Sequence, residues 1–121
     1  MKPLVKNAAD PKQVERAGHK QRYNRKMELE DVRDILETPA GRRTFWRYLT
    51  ECRVFGSVFN NSGSMTYFNE GRRDVGLKIM ADITEANDEA YLLMMREAKD
   101  REFVESNENE SRETKESPEG E

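Results

Sequence analysis

Cysteine is almost absent. Cys52 stands alone, so no disulfide can close within the chain and no cysteine-rich zinc site can be built. Histidine is as scarce: His19 is the only one, with no second histidine or cysteine beside it to share a metal. Hydrophobic residues make up 35% of the 121 residues and charged residues 37%, a composition with little to spare for a large core. No apolar run approaches the roughly 18–20 residues that a membrane span needs. The opening MKPLVKNAADPK meets polar residues before a signal core can form. No Gly-rich phosphate loop of the Walker type is present. Together these absences lead us to expect one small soluble domain in a reducing cytoplasm.

Chemistry is equally thin. Cys52 lies on an apolar helical face, and neighbouring Glu51 and Arg53 do not make a nucleophile, base and orienter set. Asp31 with Asp34, and Asp88 with Glu89, suit a helix surface or a helix start better than acid–base work. The expectation is therefore no enzyme, no catalytic residue, no cofactor and no metal.

What is present is charge, sorted by position. The formal net charge of -3 hides a basic head and an acidic tail. Residues 1–26 carry Lys2, Lys6, Lys12, Arg16, Lys20, Arg22, Arg25 and Lys26 against Asp10 and Glu15, whereas residues 105–121 carry seven glutamates against Arg112 and Lys115. Segregation of this kind marks interaction arms. We expect residues 1–26 to be a flexible basic arm that turns helical on a partner, because Gly18 and the shortage of apolar residues weaken any independent helix. Residues 105–121 have no aromatic or branched aliphatic side chain and should stay disordered.

Between the arms, residues 27–104 read as a compact all-α bundle of about four helices. Met27, Leu29, Val32, Ile35 and Leu36 supply a helical stripe, which Thr38 and Pro39 end. Thr38 can cap the next helix with Pro39 at its first position. That helix, running to about Phe55, sets Phe45, Leu49 and Cys52 on one face with Trp46 beside them. GSVFNNSGS is a loop, and Ser64 is the expected cap of a third helix from Met65 to about Ala86. Met65, Phe68, Val75, Ile79 and Ile83 are its expected apolar face, broadened by Leu77 and Met80. Asn87, Asp88 and Glu89 open a fourth helix that runs to about Val104.

One triplet occurs twice: Gly41-Arg42-Arg43 and Gly71-Arg72-Arg73. Two copies, with Trp46 set against Gly76 and Arg47 against Leu77, fall short of a repeat array. Arg42, Arg43, Arg72 and Arg73 suit a fork for an anion or a partner's carboxylate. Pairing inside the protein, with Glu70, Asp74 or Glu37, or a solvated face is the favoured reading, since runs of charge are ordinarily surface. Gly76 fits a close helix crossing, with Trp46 or a neighbouring backbone against it. In the head, Lys20, Arg22, Arg25 and Lys26 interleave with Tyr23 as candidate contacts to DNA phosphates or to an acidic protein surface.

The stretch EDVRDILETPAGRRTFWRYLTECRVF, then NNSG, then YFNEGRRDVGLKIMADITEANDEAYLLMMREA resembles a family of small tailed-bacteriophage proteins typified by one from a Bordetella podophage. The positions that carry the resemblance are Asp31 to Leu36, Gly41-Arg42-Arg43 with Trp46 and Leu49, the block Phe68 to Arg73 with Gly76, and Tyr91. It covers roughly residues 31–98 and neither tail. The resemblance implies a minor virion component or an assembly, packaging or ejection factor. Its partners would be portal, tail or ejection proteins, with DNA reached through the basic arm. A ring or other homo-oligomer is natural in such a setting, and the protein would be found in the virion and, during assembly, in the host cytoplasm. The alternative is a phage DNA-binding or regulatory protein outside the virion. No catalytic residue follows from the resemblance.

Overall fold

A computed structural model describes residues 9–116 as four helices: α1 (Pro11–Leu36), α2 (Pro39–Glu51), α3 (Gly63–Ala86) and α4 (Ala90–Glu116). The all-α architecture of four helices is the one expected. Both outer helices reach further than the boundaries at residues 26 and 104. Residues 11–26, expected as a flexible arm, are the first turns of α1. Asp10 caps that helix by accepting a hydrogen bond from the Lys12 backbone N–H, with Pro11 at the first position. Arg25 then ties the helix to α3 through Asp82 and Glu85, at 2.8 and 2.6 Å. Residues 105–116 continue α4, in a stretch whose glutamates, arginine and lysine are good helix formers. The outermost parts of both expected tails, residues 1–8 and 117–121, lie outside the described residues.

The core gathers where the end of α1, the whole of α2, the end of α3 and the start of α4 meet. Leu36, Leu49, Ile83, Ala86, Ala90 and Met94 are buried together, and Leu29, Val32, Phe45, Trp46, Val54, Ile79 and Met80 pack around them. α2 and α3 each pack against every other helix, whereas α1 and α4 touch only weakly. The Thr38 cap appears as the sequence predicts, and Asn87 closes α3 and turns the chain into α4, which starts at Ala90. Thr38 Oγ1 accepts from the Gly41 N–H at 3.0 Å, and Asn87 Oδ1 accepts from the Glu89 N–H at 3.0 Å.

Two expectations need correction. α3 begins at Gly63 after Ser62, which makes no side-chain cap, so Ser64 is not its cap. Of its expected apolar face, Ile79, Met80 and Ile83 pack in or on the core, but the rest does not. Asn69, Gly76, Ile83 and Ala86 are buried, while Met65, Phe68, Val75 and Leu77 are exposed. The cause is close approach: a Cβ on Gly76 would lie 2.6 Å from Cys52 Cβ and 2.5 Å from Val54 Cγ2. The end of α2 thus comes nearer to α3 than any large residue allows. The neighbour of Gly76 is this turn rather than Trp46, which instead stacks on Phe55 with centroids 4.6 Å apart.

α2 stops at Glu51, short of Phe55, in a turn that closes on itself. The Arg53 N–H donates to Thr50 O and the Val54 N–H donates to Leu49 O, at 3.0 and 3.1 Å, the paired bonds of a Schellman end. Arg53 holds the left-handed position with φ 58°, where glycine is the usual occupant. Val54 folds back onto Leu49 and the core.

Candidate functional site

The two Gly-Arg-Arg triplets do different work. Gly41 sits in the first turn of α2 directly over the last turn of α1. A Cβ there would overlap the Ile35 carbonyl oxygen and lie 2.8 Å from its carbon. That closeness makes the tight corner between α1 and α2 and aims Arg42 across the bundle. Arg42 grips Glu97 of α4 with both arms of its fork, Nε to Oε1 at 2.8 Å and Nη2 to Oε2 at 2.9 Å. Its third nitrogen, Nη1, donates to Leu36 O at 2.9 Å, a carbonyl left over at the end of α1. One side chain therefore joins α1, α2 and α4. The hydrogen bonds from Arg42 hold the Glu97 carboxyl below the usual carboxylate range against its partial burial, with the charges of Arg42, Arg101 and Arg43 adding to them. Internal pairing is what the structure shows for Arg42, but with Glu97 instead of Glu70, Asp74 or Glu37. Arg43 is exposed beside it.

The second triplet lies on α3. Nothing stands within 4 Å of where a Gly71 Cβ would be. Arg72 donates to Glu51 O at 3.1 Å and to Asn69 Oδ1 at 3.2 Å, and its guanidinium lies 4.6 Å over the Phe68 ring. Asn69 is 1% exposed, and its amide donates to Val58 O at 3.2 Å, so it pins the loop between α2 and α3. The Nε atoms of Arg72 and Arg73 are buried with no hydrogen-bond partner among the described residues. Arg42 sits near the start of α2 and Arg72 against its last residue, about 14 Å apart at 1.5 Å per residue. The triplets are not one clamp.

The basic head forms a face. Lys12, Arg16, Lys20, Arg22 and Lys26 are exposed on α1 and fall within an arc of about 160° at 100° per residue, with Tyr23 among them and Glu15 the one acid inside it. Arg25 points elsewhere, into its pairing with Asp82, Glu85 and Glu28, so it braces α1 on α3 and leaves the free cationic face to the others. Among the described residues no cluster of histidine, cysteine and carboxylates could hold a metal, and no helix is long and apolar enough to cross a membrane.

Those contacts rest on the blocks that carry the family resemblance, and the comparison with known families settles it: the model described as Bbp19-like phage protein matches residues 32–96. The chain belongs to this phage family. The matched span runs from the last turns of α1 through the first turns of α4 and takes in Arg42, Asn69, Arg72 and Gly76, but stops short of both outer helical arms. No curated protein and no solved structure matched the chain.

Sequence reasoning missed Glu97 and Asn69. Each had a signal. Glu97 lies three residues after Met94 and next to Ala98 on the buried stripe of α4, an acid where an apolar residue is the norm, and so in need of a cation. Asn69 stands seven residues before Gly76 on the same side of α3.

Proposed function

We propose that this chain is a minor component of a tailed-phage particle, or of the apparatus that assembles, packages or empties it. On this reading it works by holding other phage proteins, such as portal, tail or ejection proteins, and performs no chemistry. It resides in the virion and passes through the host cytoplasm during assembly. The observation that carries the reading is the amount of apolar surface left outside a small core. Around the start of α3, Phe59 is 74%, Tyr67 76% and Phe68 57% exposed, and Leu92 on α4 is 54% exposed. Apolar side chains in such numbers outside a core mark a surface for partner contact. Family membership supports the phage setting.

A second reading, a phage DNA-binding or regulatory protein outside the particle, draws on the cationic face of α1. Phosphate contacts from that face would release counterions, and binding would weaken steeply with salt. Quantitative mass spectrometry of purified particles tests the first reading. A fixed number of copies per portal protein supports it, whereas absence from clean particles with abundant protein in infected cells overturns residence in the virion and moves the second reading to first place. A duplex titration at two salt concentrations then reads the second directly.

A further inference from the structure

The two outer helical segments carry opposite charge and are left free of each other. On α1, the face bearing Lys12, Arg16, Lys20, Arg22 and Lys26 is exposed over a length of about 21 Å. On α4, every residue from Glu102 to Lys115 is exposed. Glu102, Glu105, Glu110 and Glu113 fall within an arc of about 140° there, along about 17 Å of helix. α1 and α4 touch only weakly within the chain, and the acidic stretch of α4 is exposed throughout. Each charged face also has an unburied aromatic ring in or beside it, Tyr23 at 59% and Phe103 at 67% exposed. Both arms fall outside residues 32–96, the span that the family model matches.

We infer that the basic half of α1 in one copy docks along the acidic half of α4 in a second copy of this chain. Charge complementarity selects the second copy. One surface of each sign, similar in length and each with an exposed ring, makes the chain complementary to itself. Both surfaces are present on every copy and they differ, so the contact is heterologous and propagates, closing into a ring where the rotation permits. Exposed ion pairs are individually weak. Association therefore depends on several pairs together with burial of Tyr23 and Phe103, and it fades once salt shortens the screening length. The inference does not depend on the protein's presence in the particle.

The test is analytical ultracentrifugation of the full chain with two charge-reversed variants. One carries Lys20→Glu, Arg22→Glu and Lys26→Glu; the other carries Glu102→Lys, Glu105→Lys and Glu113→Lys. Arg25 is left alone because it braces α3. The wild-type chain is expected to associate at low salt and to return to monomer near 1 M salt. Each variant alone should associate at least about 10-fold more weakly, the effect of losing three exposed pairs. An equimolar mixture of the two should associate again, because the mixture restores opposite charges at both contacts. Circular dichroism of each variant separates lost association from lost folding. A wild-type chain that stays monomeric at low salt overturns the inference. Labelled duplex added to the same samples then separates the two ways this can happen, α1 engaged by nucleic acid or the arms closing within one chain. Variants that fail to reassociate on mixing overturn it as well.

Discussion

Replacing Gly41 and Gly71 by alanine, one at a time, should move stability in opposite directions although both glycines precede Arg-Arg. Gly71 lies inside α3 with nothing within 4 Å of a new Cβ, so alanine there adds only helix propensity and should stabilise the fold by about 1 kcal/mol. At Gly41 the new Cβ would meet the Ile35 carbonyl group, and Ile35 Cγ2 at 3.0 Å. The carbonyl is backbone and cannot rotate away. Relief requires opening the corner between α1 and α2, which shifts buried Leu36 and the Arg42 fork that rests on its carbonyl. Overpacking of this kind costs about 1–3 kcal/mol, more than propensity returns in a first turn. Urea unfolding followed by helical circular dichroism reads both changes. With a slope of about 1.5 kcal/mol/M, the Gly71 variant should shift the midpoint up by about 0.7 M and the Gly41 variant down by at least as much. A Gly41→Ala midpoint at or above wild type would refute the packing argument, and a lowered Gly71→Ala midpoint would refute the open-face argument.

Other consequences can be checked in the same way. Arg42→Gln and Glu97→Gln should each destabilise, and their double-mutant cycle should show coupling of about 1 kcal/mol, because both side chains are mostly withdrawn from solvent. The Glu97 carboxyl titrates lower in the folded state, so its contribution is fully present above the ordinary carboxylate value and is lost as pH falls through the depressed one. Acid titration of stability should accordingly be flatter in Glu97→Gln than in wild type. Arg53→Gly should raise stability by up to about 1 kcal/mol by removing the left-handed strain at φ 58°, and an unchanged or lowered melting temperature would count against this. Asn69→Leu should cost about 1–3 kcal/mol by leaving Val58 O without its donor and Arg72 Nη2 without its acceptor. Limited proteolysis should then cut the loop between α2 and α3 sooner.

The sequence shows helices well where apolar residues alternate with charge at helical spacing. The stripe Leu29, Val32 and Leu36, the Thr38-Pro39 start of α2 and the Asn87 turn could all be read directly, since each rests on local chemistry. The face of α3 could be read only at Ile79, Met80 and Ile83. Its buried side is made of Asn69, Gly76 and Ala86 with a single large residue, Ile83, and a rule that seeks large apolar residues turns the helix toward Phe68 and Val75. Only the proximity of Cys52 and Val54 decides the matter, and proximity is a tertiary fact. The length of α1 was hidden for a similar reason. Its N-terminal half is anchored by Arg25 to carboxylates some 60 residues away, which no local window contains. Arg42 and its partner stand 55 residues apart, so the need for an internal acid could be foreseen, while Glu97 was signalled only by its place beside the buried stripe of α4.

The triple grip of Arg42 has a consequence for synthesis. Its carbonyl contact at Leu36 is made almost as soon as the corner forms, but Glu97 follows 55 residues later. Until the first turns of α4 have left the ribosome, the guanidinium has no carboxylate, and Ala90 and Met94 are missing from the core. No nascent fragment ending before residue 97 can therefore complete the bundle, and the final fold waits for the first turns of α4. A frameshift or early stop anywhere in the first three helices leaves Arg42 without its carboxylate and the core without Ala90 and Met94.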